Sequence, residues 1–197
     1  MPPEDAGKRG PRLMLVPFSR QQFDLLIEWT PNAEFLLQWA GSQLEYPLTR
    51  AQLQLLLETG ARKPPSCYLF GVCDPRDGSI VGHGEIGQVD RRNHSAHLMR
   101  ILLGPPQLRG RGLGGEIVRE LARFAFEKLA VHRLSLAVFE RNAVAIRCYE
   151  RVGFRLEGTL RDARCHGSEY WNLCLMAMLR PEWERREATP TGSDPER

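Results

Sequence analysis

A chain of 197 residues is long enough to form one domain with a substantial hydrophobic core, and it is short for two. Hydrophobic residues make up 42% and charged residues 26%, which is typical of globular proteins and excludes a fibrous or wholly disordered class. The net charge of +3 is small and mixed in sign, so we expect no nucleic-acid partner.

The sequence does not have the patterns of secretion or membrane insertion. Residues 1–12 mix proline, glycine and charges of both signs without an apolar stretch, unlike a secretory signal. No apolar run reaches the roughly 20 residues of a membrane span. We therefore expect a cytoplasmic protein with no membrane partner. The five cysteines are scattered without a Cys-x-x-Cys pair, so we expect free thiols and no metal site.

The first half of the chain predicts helices followed by a β-meander. Thr49 and Gln52 fit a capping box at the start of a helix. Asp77-Gly78, between two apolar runs, predicts a β-hairpin. The predicted elements are a strand over residues 13–16, helices over 20–29 and 34–39 and from 49, and meander strands over 68–72, 80–89 and 94–103.

The second half predicts helices and strands in alternation. Apolar residues recur at three- and four-residue steps from Ile117 to Leu129, which predicts an amphipathic helix of four to five turns. Asn142 and Gly153 fit the N-cap and the C-terminal glycine cap of a short helix. Strands are predicted over residues 133–139, 154–161 and 170–179. Strands before and after two helices predict a single α+β domain with a mixed sheet.

The two ends of the chain differ from this domain in composition. Residues 1–11 and 184–197 are rich in proline, glycine, threonine and charge. Such segments cannot bury enough apolar surface to offset the entropy lost on ordering, so both are expected to be disordered. The predicted domain therefore spans residues 12–183.

A glycine-rich segment, Gln107-Leu-Arg-Gly-Arg-Gly-Leu-Gly-Gly115, joins a strand to the start of the long helix. Unpaired N–H groups and the helix dipole at such an end favour an anion. Gly110 and Gly112 permit positive φ angles and keep side chains away from a ligand, while neighbouring arginines add positive charge. The segment is therefore a candidate phosphate site, and a glycine-rich turn with solvated arginines is the alternative.

The same glycines also match a dinucleotide-binding fingerprint. Gly110, Gly112 and Gly115 fit G-x-G-x-x-G between a strand and a helix. A doubly wound sheet requires further strand-helix units, and the residues that follow do not continue in that way. This interpretation is therefore disfavoured.

Two motifs in order resemble those of the GNAT superfamily of N-acetyltransferases. Gln107-x-x-Gly110-x-Gly112 is similar to the acetyl-CoA signature, and Asn142-x-x-Ala145-x-x-x-Tyr149-x-x-x-Gly153-Phe154 resembles the motif that follows it. The ending, over residues 153–162 and 170–173, is similar to the RimJ/RimL branch, which contains protein N-terminal acetyltransferases. The resemblance covers residues 13–179 and implies a mostly antiparallel central sheet of six to seven strands flanked by helices.

The resemblance implies that an acetyl group passes directly from acetyl-CoA to a primary amine, without an acyl-enzyme and without a metal. It assigns cofactor binding to the glycine-rich loop, the strand before it and the later short helix. The residues so assigned are Ile101, Leu102, Leu103, Gln107, Leu108, Arg109, Gly110, Arg111, Gly112, Leu113, Gly114, Asn142, Ala145 and Tyr149.

Three residues are candidates for the proton transfers. The resemblance places Tyr149 near the cofactor sulfur, where its hydroxyl would be the general acid, and a core tyrosine is the alternative. Glu85 and His97, on the second and third meander strands, are candidates for the general base, each facing the cleft directly or through a water. Asn142 is a helix cap, a polar contact to the cofactor, or both.

The acceptor stays open between a protein N-terminus and a small-molecule amine. The RimJ/RimL-like ending favours a protein N-terminus. The N-terminal region favours a small cationic amine, because its aromatic rings and carboxylates could bind one. These residues are Trp29, Trp39, Tyr46, Glu28, Glu34 and Glu45. A non-catalytic acetyl-CoA-binding sensor is the alternative to an enzyme, and the frequent dimers of the family make a homodimer an expectation.

Overall fold

The computed structural model describes residues 12–61 and 64–188, which form one seven-stranded sheet with helices on both faces. The strand order is β1-β2-β3-β4-β5-β7-β6, and every neighbouring pair is antiparallel except β4 and β5, which are parallel. The predicted α+β class with a mixed, mostly antiparallel sheet is confirmed. The strands are β1 (Met14–Pro17), β2 (Tyr68–Cys73), β3 (Ile80–Asp90), β4 (Ser95–Leu103), β5 (Arg133–Phe139), β6 (Arg155–His166) and β7 (Glu169–Leu179).

The helices pack in two groups, one on each face of the sheet. They are α1 (Phe23–Glu28), α2 (Ala33–Ala40), α3 (Arg50–Gly60), α4 (Leu113–Arg123), α5 (Ala143–Val152) and α6 (Arg180–Ala188). Buried residues of α4, among them Ile117 and Leu121, form the core of one face, and those of α1–α3, among them Leu26 and Leu53, form the core of the other. A π-helical segment, Phe124–Lys128, continues α4, so together they reach the predicted length of four to five turns.

The helix caps follow the sequence with one exception. Asn142 accepts a hydrogen bond from the N–H of Ala145 at 3.2 Å, and Thr49 accepts one from the N–H of Gln52 at 3.3 Å. The second half of the predicted capping box is wrong, because Gln52 does not return to Thr49 N–H. Its side chain instead accepts from Glu45 N–H at 2.8 Å and donates to two carbonyl oxygens of the preceding loop. Gln52 therefore fixes that loop against α3.

The predicted tail begins too early. Residues 184–188 belong to α6, whereas residues 1–11 and 189–197, where the remaining predicted disorder falls, lie outside the described residues. Trp183 of α6 stacks on Phe126 with ring centroids 5.6 Å apart, and Arg180 donates to the carbonyl oxygens of Phe126 and Val131. These tertiary contacts order a segment whose composition is polar. Within residues 12–61 and 64–188 there is no helix with the length and apolarity needed to cross a membrane.

The centre of the sheet opens where β4 and β5 separate. The two strands pair only between Ser95–Leu98 and Arg133–Leu136. On the other side of β4, a bulge sets Arg100 and Ile101 opposite the single residue Gly84, and Arg100 adopts a φ of +46°. Because of this bulge, the side chains of β4 after Arg100 point to the opposite faces of the sheet from those that regular alternation would give. Beyond the last paired residues, β4 and β5 leave backbone groups free to bind a ligand between them.

Candidate active site

A cavity of about 650 Å³ occupies the opening between β4 and β5. Its walls are residues 97–103 of β4 and residues 136–139 of β5. Glycines of the loop before α4 lie at one end, and residues 38–43 at the end of α2 lie at the other. The cavity therefore connects the predicted phosphate site to the N-terminal helices, with the centre of the sheet between them.

The glycine-rich loop has the geometry of an anion site. Gly110 and Gly112 have φ angles of +75° and +79°, which strain any L side chain, and a Cβ atom at either position would meet nothing within 4 Å. The N–H groups of residues 110–114 have no hydrogen-bond acceptor among the described residues. Gly112 is the N-cap of α4 and supplies no side-chain cap. Unpaired donors at a helix N-terminus, in open space, fit a pyrophosphate.

Most of the predicted cofactor residues line the cavity. They are Ile101, Leu102, Leu103, Arg109, Gly110, Gly112, Gly114, Asn142, Ala145 and Tyr149. Four others do not line it: Gln107 and Arg111 are exposed, and Leu108 and Leu113 pack against the core of α4. These two leucines anchor the loop at its two ends, so their contribution to the site is to hold the intervening backbone in place.

Asn142 and Tyr149 both face the cavity from α5. The Oδ1 atom of Asn142 caps the helix, which leaves its NH₂ group without an acceptor in the described part of the chain. The Tyr149 ring packs edge-on against Phe154, with centroids 6.3 Å apart, and its hydroxyl makes no hydrogen bond within the described residues. Burial, followed by the neighbouring Cys148, raises the pKa of Tyr149. The hydroxyl is therefore held in its protonated form, as a general acid requires.

His97 lines the cavity and is held in one orientation by Ser135 of β5. The Ser135 hydroxyl donates to the carbonyl oxygen of Ala96 at 3.2 Å, and its Oγ lies 3.0 Å from His97 Nδ1. Because the single hydroxyl proton goes to Ala96, Nδ1 carries a proton and donates to Oγ. His97 Nε2 is then the nitrogen with a free lone pair. Burial lowers the pKa of His97, which favours this neutral form.

Glu85 is buried behind the cavity and does not line it. Its carboxylate accepts from Arg100 Nε and Nη2, both at 2.7 Å, and from His83 Nε2 at 3.0 Å. Burial alone would raise the pKa of Glu85, but these hydrogen bonds and the Arg100 charge outweigh it and lower that pKa. A carboxylate that is fully buried and occupied in this way is a poor general base. Of the two candidates for the base, His97 is therefore the one that faces the cavity, and Glu85 is engaged in a buried ion pair.

The predicted acidic lining of the acceptor end is wrong. Neither Glu28, Glu34 nor Glu45 lines the cavity. Glu34 instead pairs with Arg141 at 3.2 Å, because α2 directs its side chain toward the loop that follows β5 and not toward the cavity. Of the three predicted aromatic residues, Trp39 lines the cavity, whereas Trp29 and Tyr46 do not.

Several cavity residues were not found from the sequence. Cys148 lies on α5 with its sulfur 3.8 Å from a Cβ placed at Gly114, and its spacing of three residues from Ala145 was a usable signal. Gln43, Gln88 and Arg164 gave no such signal. The three lie on separate elements, and a shift in register between Leu160 and Arg164 decides which way the end of β6 faces.

The fold and the site place a cleft between two diverging parallel strands, with a loop at its edge whose geometry fits an anion. These features together define the class of protein. The chain belongs to the Acetyltransferase (GNAT) family, whose pattern matches residues 33–154, more than half of its length. The resemblance to this family, drawn from the motifs of the loop and of α5, is confirmed.

Individual relatives agree with this assignment. The L-amino acid N-acetyltransferase AaaT of Escherichia coli is 32% identical over 106 residues, which are 53% of this chain and 64% of that protein. The [ribosomal protein uS5]-alanine N-acetyltransferase of E. coli is 25% identical over 83% of this chain and 85% of its own. In several curated relatives, AaaT included, the match spans 58 to 65% of their own length.

The fold is shared with a solved acetyltransferase. The spermidine N-acetyltransferase of Vibrio cholerae, solved in complex with CoA and spermine, superimposes with a TM-score of 0.77. The likeness covers 89% of this chain and 99% of that one at 21% sequence identity.

Proposed function

We propose that the protein is an N-acetyltransferase that transfers an acetyl group from acetyl-CoA to a primary amine. The observation that carries the proposal is the cleft itself, which joins an anion site at the start of α4 to His97 and Tyr149. The relatives, which act on an amino acid, a ribosomal-protein alanine and spermidine, all support an amine acceptor.

The residues present fit acetyl-CoA. The N–H groups of residues 110–114 would bind the pyrophosphate, with Arg109 adding charge at the cavity wall. The free edge of β4 at residues 99–103 would pair with the extended arm of the cofactor, as a strand edge pairs with a peptide. Backbone N–H groups of that edge would also stabilise negative charge on the thioester oxygen. When bound, acetyl-CoA supplies the activated acetyl carbon.

Two side chains would carry the protons. His97 Nε2 would accept the proton of the attacking amine, directly or through a water, while Ser135 holds the ring in the required tautomer. Tyr149 would donate its hydroxyl proton to the sulfur as the carbon–sulfur bond breaks and the carbon–nitrogen bond forms. Both groups start in the required state, since burial favours neutral His97 and protonated Tyr149. This pairing favours an enzyme over a sensor. The homodimer stays a prediction.

The test begins with acetyl-CoA binding by calorimetry and continues with thiol release against a panel of amines. We expect binding, and release with at least one acceptor. In the variant His97→Gln, we expect kcat to fall by about 10²-fold or more with unchanged acetyl-CoA affinity, because general base catalysis contributes about 10²- to 10⁴-fold. Because the pKa of His97 is lowered, activity should be retained above about pH 6.5 and lost only as the pH falls further. Unchanged turnover in the variant would remove His97 from the mechanism.

A further inference from the structure

The charge of the cavity lining is one-sided. Among the described residues that line it there are four arginines and no aspartate or glutamate. Arg109 and Arg151 lie toward the glycine loop and α5, where the proposed cofactor carries its phosphates. The other two, Arg100 and Arg164, therefore determine the electrostatic character of the acceptor end.

Arg100 is held rigidly and its charge is compensated. Glu85 accepts from it in a bidentate arrangement, and Arg100 Nη1 donates to Gln43 Oε1 at 2.7 Å. The NH₂ group of Gln43 has no acceptor among the described residues, so this side chain keeps a donor group for a ligand. The indole N–H of Trp39 also has no acceptor among the described residues, but its nitrogen is buried. Gln43 therefore presents a donor group to the cavity beside Arg100.

Arg164 differs from Arg100 because no carboxylate compensates it. It lies near the end of β6, opposite Trp171 of β7, and its side chain is exposed. The one hydrogen bond it makes within the described residues goes to the adjacent carbonyl oxygen of Ala163. Arg141 packs over the Trp171 ring at 4.2 Å and pairs with Glu34 of α2, which brings this end of the hairpin beside the N-terminal helices. Arg164 thus gives the acceptor end a net positive charge.

This environment disfavours a polycationic acceptor. A polyamine would bring several ammonium groups against Arg164 and would find no carboxylate among the described lining residues to replace their hydration. An amine with a nearby carboxylate matches the site instead. Its carboxylate would meet the forked guanidinium of Arg164, and its amine would extend toward His97.

We propose that the acceptor is a small amine that carries a carboxylate, of the α-amino acid class, and that Arg164 binds this carboxylate. The inference rests on the proposed acetyltransferase function and names the acceptor class for the same site. The cavity of about 650 Å³ also has to hold the end of the cofactor, which leaves space for a small molecule.

The test compares matched acceptors that differ in one charge. Thiol release is measured with free amino acids, with the same amino acids as C-terminal amides, with spermidine and with N-terminal peptides. We expect kcat/KM to be about 10-fold or more higher for an amino acid than for its amide, because a hydrogen bond to a charged group is worth about that factor. Spermidine and the peptides should be poorer still.

Two variants on β6 locate the effect. Arg164→Gln should raise KM for the amino acid about 10-fold while leaving kcat and the amide reaction nearly unchanged. Arg161→Gln, on the same strand and outside the cavity lining, should leave both reactions unchanged. Three results would overturn this inference and leave the proposed function standing. They are equal rates for the amino acid and its amide, a preference for spermidine or a peptide, and equal effects of the two variants. Absence of thiol release with every amine would overturn the proposed function, and the inference with it.

Discussion

The substitution Glu85→Gln separates a structural role for this carboxylate from a catalytic one. The wild-type side chain is fully buried and accepts two hydrogen bonds from Arg100 at 2.7 Å and one from His83 at 3.0 Å. Breaking a buried ion pair by removing one partner costs about 3 to 5 kcal/mol, because the other charge stays buried and uncompensated. We expect the lower figure, about 3 kcal/mol, since a glutamine oxygen still accepts one hydrogen bond.

Urea and thermal unfolding measure this loss. For a chain of this size, about 3 kcal/mol corresponds to a decrease in Tm of about 6 to 12 °C. The matched control is Glu157→Gln, whose partner Arg133 is also an arginine, but whose pair is about two-fifths exposed. It should cost at most about 1 kcal/mol, because solvent screens an exposed pair. Equal losses in the two variants would refute the reasoning.

The pH dependence gives a second measure of the same ion pair. The pKa of Glu85 is lower in the folded protein, so its contribution to stability is present above about pH 4.3, the ordinary glutamate value. That contribution is lost as the pH falls through the still lower folded value. The difference in unfolding free energy between wild type and Glu85→Gln should therefore shrink at acid pH. We also expect Glu85→Gln to keep the acid limb of the pH–rate profile of the enzyme. Loss of that limb in the variant would indicate that Glu85 is the general base.

Two further predictions concern the cofactor cleft. Gly112→Asp should abolish acetyl-CoA binding, because a carboxylate would oppose the pyrophosphate. The matched control is Gly78→Asp, in the turn between β2 and β3, where φ is +76° and the backbone strain is therefore the same. This control variant should bind acetyl-CoA normally. Calorimetry on both variants checks this, and equal loss of binding would show that strain alone is responsible. Tyr149→Phe should lower kcat by about 10²-fold with little change in acetyl-CoA affinity, as measured by thiol release, and unchanged turnover would exclude the general acid role.

Local chemistry explains why parts of the fold could be predicted from the sequence. The strand Arg133–Phe139 alternates its apolar residues, and both ends of α5 are specified by Asn142 and Gly153. The glycine loop is equally local, because positive φ at Gly110 and Gly112 is a property that glycine alone supplies without strain. Each of these features depends on residues that are neighbours in the chain.

Long-range contacts account for the features that the sequence did not reveal. Helix α6 is polar in composition and is ordered by Trp183 against Phe126. The roles of Glu85 and His97 were undecided in the sequence because both are titratable residues on adjacent strands. The bulge at Arg100, where φ is positive, turns that side chain toward Glu85. The Glu85 carboxylate then accepts hydrogen bonds from Arg100 and is not available as a base.

The sequence by itself determined the order of the elements from β1 to β7, the glycine-rich loop with its positive φ angles and the membership of the GNAT family, because these depend on local patterns. The tertiary structure decided which candidate base faces the cleft and which charges line the acceptor end. Those properties depend on where β4 and β5 separate and on how β6 shifts its register beside β7, and both are settled by packing between distant parts of the chain.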